Sequence, residues 1–183
     1  MKLLRKGQQG EETALNVFNY ALNGNWTLFK NLELRGQNGD IDFVLVGSGG
    51  VWVIEVKTYS GQYRVIGDQW QYFSFNRWTT VKNNPSRQAK KDATSISHIL
   101  SLREVKEWVN PAILWANIGN APLVDNTTVP VWTLDNLLQE LNKIATTQKL
   151  SPEKVEQIVS IITKAANFKS EEDEQPFTTP LPT

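Results

Sequence analysis

The sequence predicts an α/β fold, a central mixed and largely antiparallel sheet flanked by helices. A helical pattern opens the chain, short β-branched and aromatic segments follow it, and strand and helix patterns then alternate to the last apolar residues. The segment PAILWAN is apolar without alternation, as a strand covered on both faces would be. With 183 residues, 40% of them hydrophobic, the chain can bury one sizeable core and falls short of two full domains. A single domain is expected over residues 1–168. The acidic, proline-containing tail 169–183 is expected to be disordered.

Each element has its own signal. Residues 7–22 put Ala14, Leu15, Phe18, Ala21 and Leu22 on one helical stripe, with Asn23-Gly24 as the stop. WTLFKNLEL, DIDFVLVG, VWVIEVKTY, GQYRVI and QWQYFSF read as consecutive, mostly antiparallel strands separated by glycine breaks. Asn84-Pro85 opens a helix whose Ala89, Ala93, Ile96 and Leu100 form a buried face. After the strand PAILWAN come a short strand VPVW, a helix TLDNLLQELNKI, and a last helix capped by Ser151 before Pro152, with Val155, Ile158, Val159 and Ile162 inward.

Composition removes several chemistries. Without cysteine there is no disulfide framework, thiolate zinc site or cysteine nucleophile, which suits a reducing cytoplasm. His98 is the only histidine, so a histidine triad or two-histidine metal site is excluded, and its place in a helix reads as ordinary. The opening MKLLRKGQQGEE lacks a signal-peptide stretch, and no run of roughly 18 apolar residues could span a bilayer, so a soluble, cytoplasmic protein without membrane partners is expected. Formal net charge is zero but unevenly spread. Between residues 57 and 92, Lys57, Arg64, Arg77, Lys82, Arg87, Lys90 and Lys91 face only Asp68 and Asp92.

GDIDFVLVGSGGVWVIEVK holds the informative pattern. A two- or four-residue turn within Gly47-Ser48-Gly49-Gly50 sets Val46 opposite Val51, and counting back sets Val44 opposite Val53, Asp42 opposite Glu55 and Asp40 opposite Lys57. Two carboxylates brought to Cβ distances of about 4.5–5.5 Å repel unless a proton or cation is shared. Mg²⁺, which takes one or two protein carboxylates and leaves its other positions to water and phosphate, fits such a pair. The plainer alternative is an Asp40–Lys57 surface ion pair beside solvated acids.

Glu11 continues the apolar stripe of the first helix, either as an inward acid with a role or as a complement to the helix dipole. Gln88, one turn into the Asn84-Pro85 helix, could bind phosphate or water or lie on plain helix surface. Trp70, Tyr72 and Trp78, among Arg64, Arg77 and Lys82, could stack single strands, although alternation also places such residues in a core. The GSGG turn lacks the lysine and helix of a phosphate-binding loop.

Taken together, GEE with Glu11, GDIDFVLV with Asp42, VWVIEVKTYSG with Glu55-Val56-Lys57, the strand of Trp70, and NPSRQ ending in Gln88 resemble, in order, the nuclease-related domain (NERD) branch of the PD-(D/E)XK nuclease superfamily. The resemblance runs from about Gly7 to the last helix. It implies a restriction-endonuclease-like core and hydrolysis of phosphodiesters. Asp42 and Glu55, with the carbonyl of Val56, would ligate Mg²⁺ or Mn²⁺, and Lys57 would position or activate the water. Glu11 would assist the metal site, and Gln88 would orient the nucleophile or hold phosphate. Asp40 is an additional acid that could join the metal site or pair with Lys57.

The expected function is a metal-dependent nuclease acting on DNA rather than RNA, in DNA processing or repair. Arg64, Arg77, Lys82, Arg87, Lys90 and Lys91 would supply phosphate contacts, and a homodimer is left open. The rivals are a catalytically silent nucleic-acid-binding or scaffold domain of the same fold, and a protein-interaction module built on the acidic tail and last helix.

Overall fold

Alternating apolar residues in the central strands give the sheet two inward faces, and the helices divide between them. The computed structural model describes residues 2–22, 26–36, 39–166 and 177–178. The elements are α1 (Lys2–Ala21), β1 (Trp26–Glu33), β2 (Asp40–Gly47), β3 (Gly50–Lys57), β4 (Tyr63–Ile66), β5 (Gln69–Ser74), β6 (Arg77–Thr80), α2 (Pro85–Ser101), β7 (Val109–Trp115), β8 (Leu123–Asp125), β9 (Val131–Thr133), α3 (Leu134–Ala145), α4 (Pro152–Ala165) and β10 (Phe177–Thr178).

The strands form two sheets. The larger has the order β10-β1-β2-β3-β7-β9, antiparallel from β10 to β3 and parallel from β3 through β7 to β9. The smaller has the order β6-β5-β4-β8. The strand meander expected from sequence is thus split after β3. Its second half, with β6 and β8 added, leaves the main sheet, and β3 takes β7 as its parallel neighbour.

On one face Val44, Val46, Val51 and Val53 pack with Ala93, Ile96 and Leu100 of α2 and Ile158 and Ile162 of α4. On the other, Phe43, Leu45 and Ile54 pack with Ala14 and Phe18 of α1 and Leu137 and Leu141 of α3. Strand β7 serves both sides, Ala112 and Leu114 joining the α1–α3 side while Ile113 and Trp115 pack with Val65, Trp70 and Ala89 beneath the small sheet. Burial on both faces, expected for this strand, is what its central position produces.

The β2–β3 turn has two residues, Ser48 and Gly49, with Gly47 opposite Gly50. Gly50 takes φ +110°, a backbone open to glycine. A Cβ on Gly49 would overlap the Ile144 carbonyl, and the Ser48 carbonyl accepts the N–H groups of Lys149 and Leu150 at 2.8 and 3.0 Å. The hairpin is thereby pinned against the end of α3. Helix α4 begins as expected, Ser151 Oγ accepting the Lys154 N–H at 3.3 Å ahead of Pro152.

Helix α1 begins five residues before its expected start, while the Asn23-Gly24 stop lies outside the described residues. Most of the tail lies outside them as well. Phe177 and Thr178, placed in that tail by composition, instead pair with Leu28 and Thr27 of β1.

Candidate active site

The β2–β3 hairpin, the first turns of α2 and the middle of α1 converge at one end of the sheet. The hairpin keeps the expected register through Val46–Val51, Val44–Val53 and Phe43–Ile54, where the ladder stops. Regular alternation fails at the next residue. Ile41 and Val44 share one core cluster although three apart, as do their β1 partners Leu32 and Phe29. Between these pairs stands Asn31 at φ +49°, a left-handed backbone rarely adopted by a side-chain-bearing residue. At this break Asp42 Oδ2 accepts the backbone N–H of Val56 at 2.6 Å. Asp42 therefore meets β3 beside Glu55 through its side chain, not through a continued ladder.

Glu55 is only 2% exposed. Its Oε1 accepts from the Lys57 ammonium, and Lys57 Nζ also donates to Gln88 Oε1 at 3.3 Å, which ties α2 to β3. The Tyr59 ring lies 5.9 Å from the same ammonium. The other Glu55 oxygen, Oε2, is buried without a hydrogen-bond partner. Among the described residues the ion pair of Lys57 is with Glu55 rather than with Asp40, which is exposed and opposite Glu33 of β1.

Glu11 arrives by close packing. A Cβ on Gly10 would lie 2.5 Å from Thr58 Cγ2 and 3.0 Å from Ala116 Cβ, so only glycine lets α1 approach the ends of β3 and β7 so closely. Burial, then the charge of Asp42, raises the Glu11 carboxyl above its ordinary range.

The electrostatics are those of crowded, desolvated acids. Burial and then Asp42 push Glu55 up to about 7 against the pull of Lys57. Asp42 is raised by burial despite the hydrogen bond from Val56 and the charge of Lys57. For Lys57, burial favours the neutral amine, but Glu55, by charge and hydrogen bond, outweighs it and the ammonium is held more firmly.

One acid here was not singled out from sequence. Asp92, one turn along α2 from Gln88, is 9% exposed and its Oδ2 has no hydrogen-bond partner. Burial above all, with Asp42 and Asp40 adding and Lys91 and Lys57 opposing, pushes it up to about 6. The available signal was its spacing of four from Gln88, which puts both on one helix face. Asp92 reads in sequence as one more charge in a charged turn.

Among the described residues no three acidic or histidine side chains form a group able to hold a metal ion by themselves. The donor set is two carboxylates, Asp42 and Glu55, and the orphaned Glu55 Oε2 is an acceptor that a cation would satisfy. That suits an ion that keeps most of its positions for water and substrate oxygens.

The basic side chains predicted as phosphate contacts are spread over several elements. Arg64 and Arg77 are on the small sheet, Lys82 precedes α2, and Arg87, Lys90 and Lys91 lie on its first two turns. Lys90 is committed to Asp68 at 2.6 Å, and Asp68 also accepts from Thr128 and Val129, so its carboxyl falls to about 2. Trp70, a candidate for stacking, is fully buried, with Nε1 donating to Ser86 Oγ at 2.8 Å. It belongs to the core, because the inner face of β5 packs on β7 and α2.

The family model described as nuclease-related domain matches residues 6–116. The chain belongs to the nuclease-related domain family. The matched range contains Glu11, Asp42, Glu55, Val56, Lys57, Gln88 and Asp92, so the convergent site of this nuclease-related domain lies wholly within it. No curated protein and no solved structure matches the chain. Among the described residues no helix is long and apolar enough to cross a membrane.

Proposed function

We propose that this nuclease-related domain is a Mg²⁺- or Mn²⁺-dependent nuclease that hydrolyses phosphodiester bonds of DNA, acting in the cytoplasm in DNA processing or repair. The observation that carries the proposal is a buried Glu55 with an unpartnered Oε2, next to an Asp42 held by the Val56 N–H, with one ammonium shared between Glu55 and Gln88. Such an arrangement is costly for a fold and useful for binding a cation.

Asp42 and Glu55, with the Val56 carbonyl, would hold the metal. What the ion supplies when bound is positive charge at a phosphoryl oxygen and a more acidic water. The chain's own part follows from its geometry. Lys57 stays protonated, since Glu55 strengthens its hold on the proton, so it serves as a hydrogen-bond donor and a positive charge rather than as a base. Two of its three protons go to Glu55 and Gln88, leaving the third for the attacking water or a phosphate oxygen. Gln88 fixes the direction of that donor. Glu11 and Asp92 add negative charge that favours a cation at the cluster. Arg64, Arg77, Lys82, Arg87 and Lys91 are the proposed phosphate contacts, with Lys90 already engaged by Asp68.

One observation favours the silent-domain reading, namely the direct Lys57–Glu55 ion pair, which occupies the oxygen facing the ammonium. The deciding assay incubates the protein with labelled plasmid, single-stranded DNA and RNA, with Mn²⁺, Mg²⁺ or EDTA. Cleavage that requires the metal and prefers DNA is the expected outcome. Metal and nucleic-acid binding without turnover would replace it by the silent reading.

A further inference from the structure

The small sheet carries an aromatic surface that the acid cluster does not use. Its registers separate two faces. Val65, Trp70 and Tyr72 belong to the inner one, and Trp70 and Val65 are fully buried there. On the outer one Arg64 is opposite Gln71, and Phe73 is opposite Trp78 with ring centroids 5.2 Å apart. Arg64 lies over the Trp78 ring at 4.4 Å, and its Nε donates to Gln71 Oε1 at 2.7 Å. Phe73 remains 39% exposed.

At the tip of the β5–β6 hairpin, Phe75 is 94% exposed. Phe75 and Asn76 both adopt positive φ, 48° and 59°, as the tight two-residue turn between Ser74 and Arg77 requires. Glycine, asparagine or aspartate suits that first position. A phenylalanine there is strained and buries nothing, so neither local propensity nor packing accounts for it.

Charge selects the ligand. Strands β4, β5 and β6 contain Arg64 and Arg77 and no acidic residue. Asp125 of β8 stands opposite Ile66, at the end of the sheet away from Phe75. The opposite, inner face of the same sheet runs to the acid cluster. Tyr59, beside Lys57, stacks on Tyr63 at 5.2 Å, and Tyr63 meets Tyr72 of β5 at 6.3 Å. Five residues, 58–62, separate β3 from β4.

We propose that the outer face of β4, β5 and β6 is a stacking platform for unpaired nucleic-acid bases, with Phe73, Phe75 and Trp78 as the rings and Arg64 as the phosphate contact. This deepens the nuclease reading and rests on it for the class of ligand. Exposed rings on a sheet take bases that are splayed out, which a single strand offers and an intact duplex does not. The platform makes single strands, or the unpaired portion of a partly opened duplex, the preferred substrate.

The test is fluorescence anisotropy of the full chain with labelled single-stranded DNA, the same sequence as RNA, and the DNA duplex, all in EDTA so that no cleavage intervenes. Wild type is expected to bind single strands more tightly than duplex. Phe75→Asn relieves the backbone strain, so its Tm should equal or exceed wild type, yet it should weaken single-strand binding by about tenfold. Arg64→Gln should weaken it as well, and Phe75→Gly gives a second substitution suited to the turn. Unchanged single-strand Kd in the Phe75 variants, or tighter binding of duplex by wild type, would overturn the platform. Failure of the nuclease reading looks different, since the Phe75-dependent binding would persist while no metal-dependent cleavage occurred.

Discussion

Asp92→Asn should stabilise the metal-free protein and weaken its hold on a cation. Asp92 is nearly buried, with one oxygen unpartnered, and its carboxyl is raised from an ordinary 3.8 to about 6. A group whose pKa is raised on folding leaves its stability contribution intact below the unfolded value and loses it as pH climbs through the folded one. The window is therefore pH 3.8 to about 6. At about 1.4 kcal/mol for each tenfold change in proton affinity, the full loss by pH 8 is about 3 kcal/mol, against about half a kcal/mol at pH 4. Water penetration and relaxation around a buried acid reduce this, so about 1–2 kcal/mol is the expected gain for Asn at pH 8. Urea unfolding of both proteins in EDTA at pH 4 and pH 8 measures it. A variant no more stable than wild type at pH 8, or a gain equal at both pH values, would refute the electrostatic account. In the same variant the midpoint of Mn²⁺ binding should move to higher concentration by several-fold, because a negative charge near the acid pair is lost.

Metal binding to the wild type should strengthen as pH rises toward about 7 and level off above it, since protons compete for Glu55. Calorimetric titration with Mn²⁺ between pH 5.5 and 8 reads this directly, and a flat profile would remove Glu55 from the site. Gly49→Ala drives a Cβ into the Ile144 carbonyl and should cost about 3 kcal/mol in urea unfolding; a loss under half that would mean the hairpin is not clamped on α3. Ser151→Ala removes the acceptor of the Lys154 N–H and should cost about 1 kcal/mol, a fall in Tm of about 2–4 °C. Unchanged melting would show that Pro152 alone starts α4.

The register of the β2–β3 hairpin was legible because even-numbered turns preserve the pairing and because Gly47 to Gly50 leave no other place for the bend. It was legible only as far as Phe43–Ile54. Asn31, whose left-handed backbone no periodicity announces, ends the alternation, and the Asp42–Val56 contact replaces the expected ladder. Helix faces are readable from spacing, but the residues alone leave Gln88 open between a phosphate or water ligand and plain helix surface, and it is the resemblance that assigns it to the site. The split into two sheets was not legible, since β4 pairs through β8 and β3 through β7 by contacts between distant residues that local pattern does not encode. Trp70 and Trp78 show the same limit. Both sit on short alternating strands among basic residues, and only the three-dimensional position of the sheet sends one into the core and the other to the surface. Gly10 shows the reverse case, a residue unfavourable in a helix whose purpose emerges only when Thr58 and Ala116 are seen against it.

The central claim is that the buried acid pair performs metal-dependent chemistry on phosphodiesters. Its most direct test is the single-turnover cleavage rate of labelled DNA with Mn²⁺ for wild type, Asp42→Ala and Glu55→Ala, each checked for a folded circular dichroism spectrum. The account predicts metal-dependent cleavage by wild type that falls by at least about a hundredfold in both folded variants. Cleavage at the wild-type rate by a folded Glu55→Ala protein would contradict it.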